Sequence, residues 1–157
     1  MLVLEKNTLT EEIEKLAEQY GNSRASLMPM LQAIQAKYNH ISDHAQQEIA
    51  RVLDIHPVEV YGVISFYSFL HSKPQGRNIV RLCKTISCEH AGKENVAHAI
   101  ERELGITFGE TTKDQKVTLE YTSCLGMCDQ GPAMIVNDQV YTKLDPEKAC
   151  EIISNIK

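Results

Sequence analysis

The stretch V-T-L-E-Y-T-S-C-L-G-M-C, residues 117–128, carries a strand pattern directly into two cysteines. Its first five residues alternate between apolar and polar side chains, which indicates a β-strand with one buried face. An earlier stretch, I-V-R-L-C at 79–83, reads as a second short strand and leads into C-K-T-I-S-C at 83–88. Between them, residues 92–105 have helical spacing and end in glycine. The sequence therefore predicts a strand, helix, strand unit.

This unit predicts where four of the cysteines lie. Strands joined through a helix are almost always parallel, so their carboxyl ends share one edge of the sheet. Cys83 and Cys88 follow the first strand, and Cys124 and Cys128 follow the second. Although 35 residues separate Cys88 from Cys124, we expect the two cysteine loops to face each other at the edge where open α/β sheets bind ligands.

Four cysteines in this arrangement could serve more than one kind of site. Soft thiolates suit both iron–sulfur clusters and zinc, and spacings of four and three intervening residues fit either one. Neither pair is C-x-x-C, which argues against a thioredoxin-type dithiol, and a Rieske-type centre would need a second histidine beside a cysteine. Gly126 and Gly131 would let backbone N–H groups approach sulfur. Spacing alone leaves a [2Fe–2S] cluster, zinc and unliganded thiols open.

The residues before residue 72 have helical periodicity, and S-K-P-Q-G-R at 72–77 breaks it as a linker would. We therefore expect two domains, a helical bundle at 1–73 and an α/β domain at 77–157. In the first domain, a Thr8–Glu11 capping box predicts the start of the first helix and Gly21 predicts its end. A second helix would be capped by Ser26 with Pro29 in its first turn. A third would begin after Ser42-Asp43, and a fourth would run from Pro57 to Leu70.

The chain after the second strand predicts a hairpin and a closing helix. A-M-I-V at 133–136 reads as a buried strand, and N-D-Q turns it back into V-Y-T. Asp145-Pro146 has the preferred order of an N-cap followed by proline. The fold class is thus α+β, with an N-terminal helical bundle followed by an α/β domain.

Composition limits the function classes. The chain has 157 residues, a net charge of −5 and no basic run, which argues against nucleic acid. Its N-terminus lacks a signal-peptide pattern and no long apolar run occurs, so we expect a cytoplasmic protein without membrane insertion. Structural disulfides are rare in that compartment, so five cysteines need another explanation.

Several chemically suggestive residues have simpler explanations. Cys150 falls on the apolar side of the last helix, where we expect a buried structural thiol. Histidines such as His90 and His98 are expected at exposed positions without a ligand role. Four aromatic residues near the end of the helical half are expected to pack in the core first, and to form a docking surface second: Tyr61, Phe66, Tyr67 and Phe69.

These motifs together resemble a known family. The C-x4-C pair, the 35-residue separation and C-L-G-M-C are similar to those of the thioredoxin-like [2Fe–2S] ferredoxin subunit of NADH dehydrogenase complexes. V-Y-G-V-I-S-F-Y at 60–67, G-E-T-T-K-D at 109–114 and A-M-I-V-N-D at 133–138 extend the resemblance over nearly the whole chain. The same module recurs in multimeric NAD(P)-linked hydrogenases, flavin-based bifurcating complexes and some formate dehydrogenases.

The resemblance implies a fold, a cofactor and a partner. The C-terminal domain would be thioredoxin-like, and Cys83, Cys88, Cys124 and Cys128 would hold one [2Fe–2S] cluster. The chain would pass single electrons to or from a larger flavoprotein subunit that binds FMN and NAD(H), alongside further iron–sulfur subunits. It would have no substrate site of its own, which agrees with the lack of a G-x-G-x-x-G or P-loop motif. The competing hypothesis is a zinc-stabilised interaction module.

Overall fold

The computed structural model describes the backbone of residues 2–156 and the side chains of residues 7–156. Contacts divide the chain into two compact units, Met1–Pro74 and Gln75–Lys157. Among the helices that the structure describes, none combines the length and the apolar character needed to cross a bilayer.

The N-terminal unit consists of α-helices. Gly21 ends the first of them with a φ of +93°, and its N–H donates to the Ala17 carbonyl oxygen at 2.8 Å, as the sequence predicted. The predicted start at Thr8 is wrong, because the preceding leucines, Glu5 and Lys6 are good helix formers and the helix already begins at Leu2. The four helices are α1 (Leu2–Tyr20), α2 (Leu27–Tyr38), α3 (Asp43–Leu53) and α4 (Pro57–Phe66).

The starts of α2 and α3 use serine in two ways. Ser42 caps α3 as predicted, since its side chain accepts a hydrogen bond from the Ala45 N–H at 3.2 Å. Ser26 occupies the cap position of α2, but its hydroxyl donates to the Tyr20 carbonyl oxygen at 2.8 Å instead of accepting from its own helix. That hydroxyl therefore satisfies the end of α1.

Apolar side chains from all four helices form one core in this unit. At its edge, Lys37 Nζ and the Tyr38 hydroxyl each donate to the Glu12 carboxylate at 2.7 Å. Burial alone would raise the pKa of Glu12, but these two hydrogen bonds outweigh it and hold that pKa below its ordinary value. The largest fully buried side chains of this core are Ile13, Met30, Leu31, Ile34, Ile41, Ile49 and Val60.

The predicted aromatic core is wrong. Tyr61, Phe66, Tyr67 and Phe69 are 55 %, 79 %, 38 % and 42 % exposed. Helix α4 ends at Phe66 rather than continuing to Leu70, so Tyr67 and Phe69 lie beyond the helix, while Tyr61 and Phe66 lie on its exposed side. Within this aromatic patch the Tyr67 ring contacts both Phe66 and Phe69, with the Phe66 and Tyr67 centroids 5.0 Å apart in an edge-on arrangement.

The C-terminal unit is built on a mixed four-stranded sheet. One pair of neighbouring strands, at an edge of this sheet, is parallel, as predicted, and runs from Asn78 opposite Val117 to Cys83 opposite Thr122. The remaining neighbours are antiparallel, and the strand order is β2-β1-β3-β4. The strands are β1 (Asn78–Cys83), β2 (Val117–Thr122), β3 (Met134–Val136) and β4 (Gln139–Tyr141).

The α-helices that the structure describes in this unit are α5 (Ile86–His90), α6 (Lys93–Leu104) and α7 (Pro146–Ser154). Gly105 ends α6 at a φ of +66°, and the Asp145 carboxylate accepts from the Lys148 N–H at 2.8 Å to begin α7. Both features were predicted. Helices α6 and α7 pack together, and their apolar faces join β1 and β2 in a second core. Helix α5 was not predicted.

Candidate metal centre

The sheet brings the two cysteine loops to one edge. Cys83 is the last residue of β1, and its register partner Thr122 is the last residue of β2. Cys124 lies two residues beyond Thr122. Because the two strands are parallel, the chain leaves both at the same side of the sheet, as the sequence predicted.

Helix α5 positions Cys88. This helix contacts the short 3₁₀ helix Cys128–Gln130, so the elements that carry the second cysteine of each loop lie against each other. The Cys128 thiol interacts with the Ser87 hydroxyl and with Cys83. The structure thus brings residues from both loops into one region.

Cys83 and Cys88 form a buried pair. Each is 1 % exposed, and their thiols are within hydrogen-bonding contact of each other. Cys83 Sγ also lies 3.1 Å from the Thr85 hydroxyl. A small apolar cluster covers the pair, with Ala133 buried and Leu125 and Met127 partly buried against it.

Cys124 and Cys128 form an exposed pair. Their sulfur atoms are 3.2 Å apart, and both residues are open to solvent. The Gly126 N–H donates to Cys124 Sγ at 3.3 Å. Gly126 has a φ of +82°, which side-chain-bearing residues rarely adopt. Glycine is needed here for the turn that returns an N–H group to sulfur.

Backbone donors also reach the buried pair. The Leu125 N–H points to the Cys83 thiol, and the Ala133 N–H points to the Cys88 thiol. Gly131 lets the chain pass close by, because an added Cβ there would lie 3.5 Å from Cys88 Sγ and 3.2 Å from the Ala91 Cβ. Hydrogen bonds from N–H groups stabilise thiolate over thiol.

These environments shift the thiol pKa values in different directions. Burial would raise the pKa of Cys83, but hydrogen bonds from Thr85 and the backbone outweigh it and lower that pKa. Burial raises the pKa of Cys88, and its hydrogen bond with Cys83 raises it further. Shared hydrogen bonding with Cys124 raises the pKa of Cys128. The raised pKa values of Cys88 and Cys128 favour their protonated forms, and metal binding would displace those protons.

The four sulfur atoms are arranged as two pairs. Within residues 7–156, no three Cys, His, Asp or Glu side chains are gathered as ready-made ligands of a metal ion. Two close thiols beside two more, with N–H donors aimed at three of them, match the donor chemistry of a cluster that contains two metal ions.

The other residues considered from sequence lie elsewhere. Cys150 is half-buried rather than buried, and its thiol points to the Ala99 carbonyl oxygen at 3.7 Å. His90 is exposed on α5, and exposed His98 lies beside two glutamates of its own helix. Sequence reasoning missed Thr85 and Ser87, which contact sulfur atoms; a hydroxyl residue inside a cysteine loop was the available signal.

The model of the thioredoxin-like [2Fe–2S] ferredoxin family matches residues 13–157. The NADH-quinone oxidoreductase E subunit of Buchnera aphidicola subsp. Acyrthosiphon pisum (strain APS) is 39 % identical over 145 residues, which cover 92 % of this chain and 90 % of that protein. The alpha subunit of the NAD-reducing hydrogenase HoxS of Cupriavidus necator (strain H16) is 34 % identical over 149 residues, which cover 95 % of this chain but only 25 % of that protein.

Solved structures agree on the fold. The crystal structure of an NAD⁺-reducing [NiFe]-hydrogenase in the H₂-reduced state superposes with a TM-score of 0.70 at 24 % identity, covering 80 % of this chain and 22 % of the hydrogenase chain. At that identity the likeness concerns the fold alone. The family match establishes a [2Fe–2S] cluster as the cofactor and sets aside the zinc hypothesis. The chain belongs to the thioredoxin-like [2Fe–2S] ferredoxin family.

Proposed function

We propose that the protein is an electron-transfer subunit in which Cys83, Cys88, Cys124 and Cys128 hold one [2Fe–2S] cluster. The observation that supports this best is the pairing of the four sulfur atoms. The buried pair and the exposed pair arise from two loops at one sheet edge, and each pair supplies two thiolates. Two thiolates for each iron is the ligand requirement of an all-cysteine [2Fe–2S] cluster.

The bound cluster supplies a one-electron couple with no transfer of atoms to a substrate. The residues of this chain would surround the cluster with hydrogen-bond donors to its cysteine ligands. Leu125 and Ala133 direct N–H groups at the sulfur atoms of the buried pair, and Gly126 does so for the exposed pair. Such hydrogen bonds and the degree of burial are the main means by which a protein adjusts a reduction potential.

The exposed cysteine pair, Cys124 and Cys128, provides a side from which electrons can enter or leave the cluster. The Cys83 side is covered by Leu125, Met127 and Ala133, whereas Cys124 and Cys128 are open to solvent. A redox partner can therefore approach closely only on the side of Cys124 and Cys128. The exposed side chain of Ile86, 73 % accessible, offers an apolar contact on the same cysteine region.

We infer that this partner is the flavin of a larger subunit that binds FMN and NAD(H), in a hetero-oligomer with further iron–sulfur subunits. The names of the relatives support this proposal, since they describe subunits of an NADH-quinone oxidoreductase and of an NAD-reducing hydrogenase. A flavin links the two-electron chemistry of a nicotinamide to single-electron carriers. The parent complex would be an NADH dehydrogenase, an NAD-linked hydrogenase, a bifurcating complex or a formate dehydrogenase.

We also propose two structural domains, a helical domain at 1–73 and the ferredoxin domain at 77–157. The support is that contacts separate between Pro74 and Gln75, and that each side has its own apolar core. Limited digestion with a non-specific protease should cut first within residues 70–77 and release two resistant fragments. Early cuts inside α3 or α6 would contradict the division.

The ligand assignment is tested by anaerobic purification, iron and sulfide analysis, and EPR of the reduced protein. Serine at any of the four proposed ligands should remove or alter the EPR signal. Cys150→Ser is the matched control, because Cys150 lies on α7 beside Ala99. An unchanged signal in Cys88→Ser, or a lost one in Cys150→Ser, would contradict the ligand set.

A further inference from the structure

Lys93 is in an unfavourable place for a lysine. It is 5 % exposed, although lysine is rarely buried without compensation. It is also the first residue of α6, where the positive end of the helix dipole disfavours a cation. Both costs require interactions that offset them.

Three groups surround its ammonium group. Lys93 Nζ is 2.8 Å from a carboxylate oxygen of Glu89 and forms a second, very short ion pair with Glu94. It also lies 5.1 Å from the centroid of the Tyr121 ring, within range of a cation–π interaction. Tyr121 is in turn stacked on Phe108, with centroids 4.0 Å apart.

These contacts join the two cysteine loops. Glu89 belongs to α5 and directly follows Cys88. Tyr121 belongs to β2 and lies three residues before Cys124. One buried ammonium group on α6 is therefore tied to both loops. Glu94, by contrast, is the neighbour of Lys93 on α6 and belongs to neither loop, although its carboxyl group also contacts that of Glu89.

The cation is firmly held. Burial alone would lower the pKa of Lys93, but hydrogen bonds with Glu89 and Glu94 outweigh it and raise that pKa above its ordinary value. Lys93 therefore remains charged throughout the physiological pH range. Removing the charge would leave Glu89 with no ion-pair partner on α6 and α5 without this tether.

We propose that Lys93 is a positioning residue of the metal centre, holding the Cys88 helix against the end of β2 so that both cysteine pairs face one cluster. This inference rests on the proposed function. Lys93 would act through Glu89 and Tyr121, which it connects; we call this connection the bridge. The effect of Lys93 on the metal centre would depend on the bridge and not on the net charge of the protein. Loss of groups that orient metal ligands typically weakens metal binding by about 10–100-fold.

The test compares variants of the full chain, purified anaerobically with their cluster. Lys93→Met removes the cation at similar length, and Lys93→Arg retains it. Glu89→Gln and Glu94→Gln make the same chemical and charge change on two partners of Lys93, but only the former breaks the bridge. The measurements are the rate of iron release to a ferrous chelator and the g-values of the reduced EPR signal.

We expect K93M and E89Q each to release iron about tenfold faster than the wild-type protein, with altered g-values. The K93M/E89Q double variant should be no faster than either single one, since both break one bridge. K93R should return the rate and the g-values towards wild type, and E94Q should stay close to it.

Equal rates in E89Q and E94Q, or wild-type g-values in K93M and E89Q alike, would overturn the inference. If K93M cannot be purified with a cluster, the iron-release rates and g-values of E89Q and E94Q still test the inference. A wild-type protein without iron and sulfide would refute the proposed function instead, before any variant is compared.

Discussion

Replacing Gly76 with alanine should destabilise the C-terminal unit by crowding the start of the parallel strand pair. An added Cβ would lie 2.8 Å from the Val117 carbonyl carbon and 2.9 Å from the Val117 nitrogen. Both are backbone atoms of β2, so no side-chain rotation can relieve the contact. The strands must separate, which also weakens the 2.7 Å hydrogen bond from the Gly76 N–H to the Thr118 hydroxyl.

The expected loss is about 2 kcal/mol in the free energy of unfolding. Overpacking a close contact typically costs about 1–3 kcal/mol, and a weakened hydrogen bond costs about 1 kcal/mol. For a unit of this size, each kcal/mol lowers the melting temperature by about 4–8 °C, so the shift should be about 8–16 °C.

The assay is a thermal scan of visible cluster absorbance under anaerobic conditions, because that signal reports on the C-terminal unit alone. Gly62→Ala is the matched control. It makes the same change inside α4, where an added Cβ has nothing within 4 Å, so it should stabilise its helix by about 0.5–1 kcal/mol and leave the absorbance melt unchanged. A Gly76→Ala protein that melts within about 2 °C of wild type would refute this packing argument.

Burial and charge lead to three further predictions. Cys83→Ser should lose more iron per chain than Cys124→Ser, because Cys83 is buried and water can replace a ligand only at the exposed pair; equal losses would contradict this. Glu12→Gln should cost no more than about 1 kcal/mol at neutral pH. The pKa of Glu12 is lower in the folded state than its ordinary value, so the stability that the ionised carboxylate adds is lost in acid. Urea titrations should therefore show that the difference in unfolding free energy between wild type and Glu12→Gln shrinks as pH falls through 4.5 and below. A difference that persists in acid would exclude the ion pair with Lys37 as its cause. Phe66→Ser should leave the circular-dichroism melt of the helical unit nearly unchanged, since the ring is 79 % exposed, whereas a drop of more than about 5 °C would mean that Phe66 packs in the core.

Much of the C-terminal unit could be predicted because its signals are local. The strand at 117–121 alternates, Gly105 ends a helix, and Asp145-Pro146 begins one, each for a reason contained within a few residues. The parallel pairing of β1 and β2 then followed from the connecting helix. That pairing was enough to place Cys83 and Cys124 at one edge.

The errors concern features that depend on distant contacts or on short segments. Helix α5 has only five residues, too few for a periodic signal, although it carries Cys88. The aromatic residues after Val60 are apolar in sequence, but their exposure depends on which side of α4 faces the other helices and on where α4 ends. The burial of Lys93 could not be foreseen either, because its partner Tyr121 comes from a remote strand.

The central claim is that four cysteines from two loops hold one cluster that carries one electron at a time. The most direct measurement is a reductive titration of the anaerobically purified chain, with iron, sulfide and EPR spin counted in the same sample. We expect about two iron and two sulfide per chain, and about one unpaired spin after the uptake of about one electron. A single zinc ion per chain, or iron that yields no spin on reduction, would contradict the account.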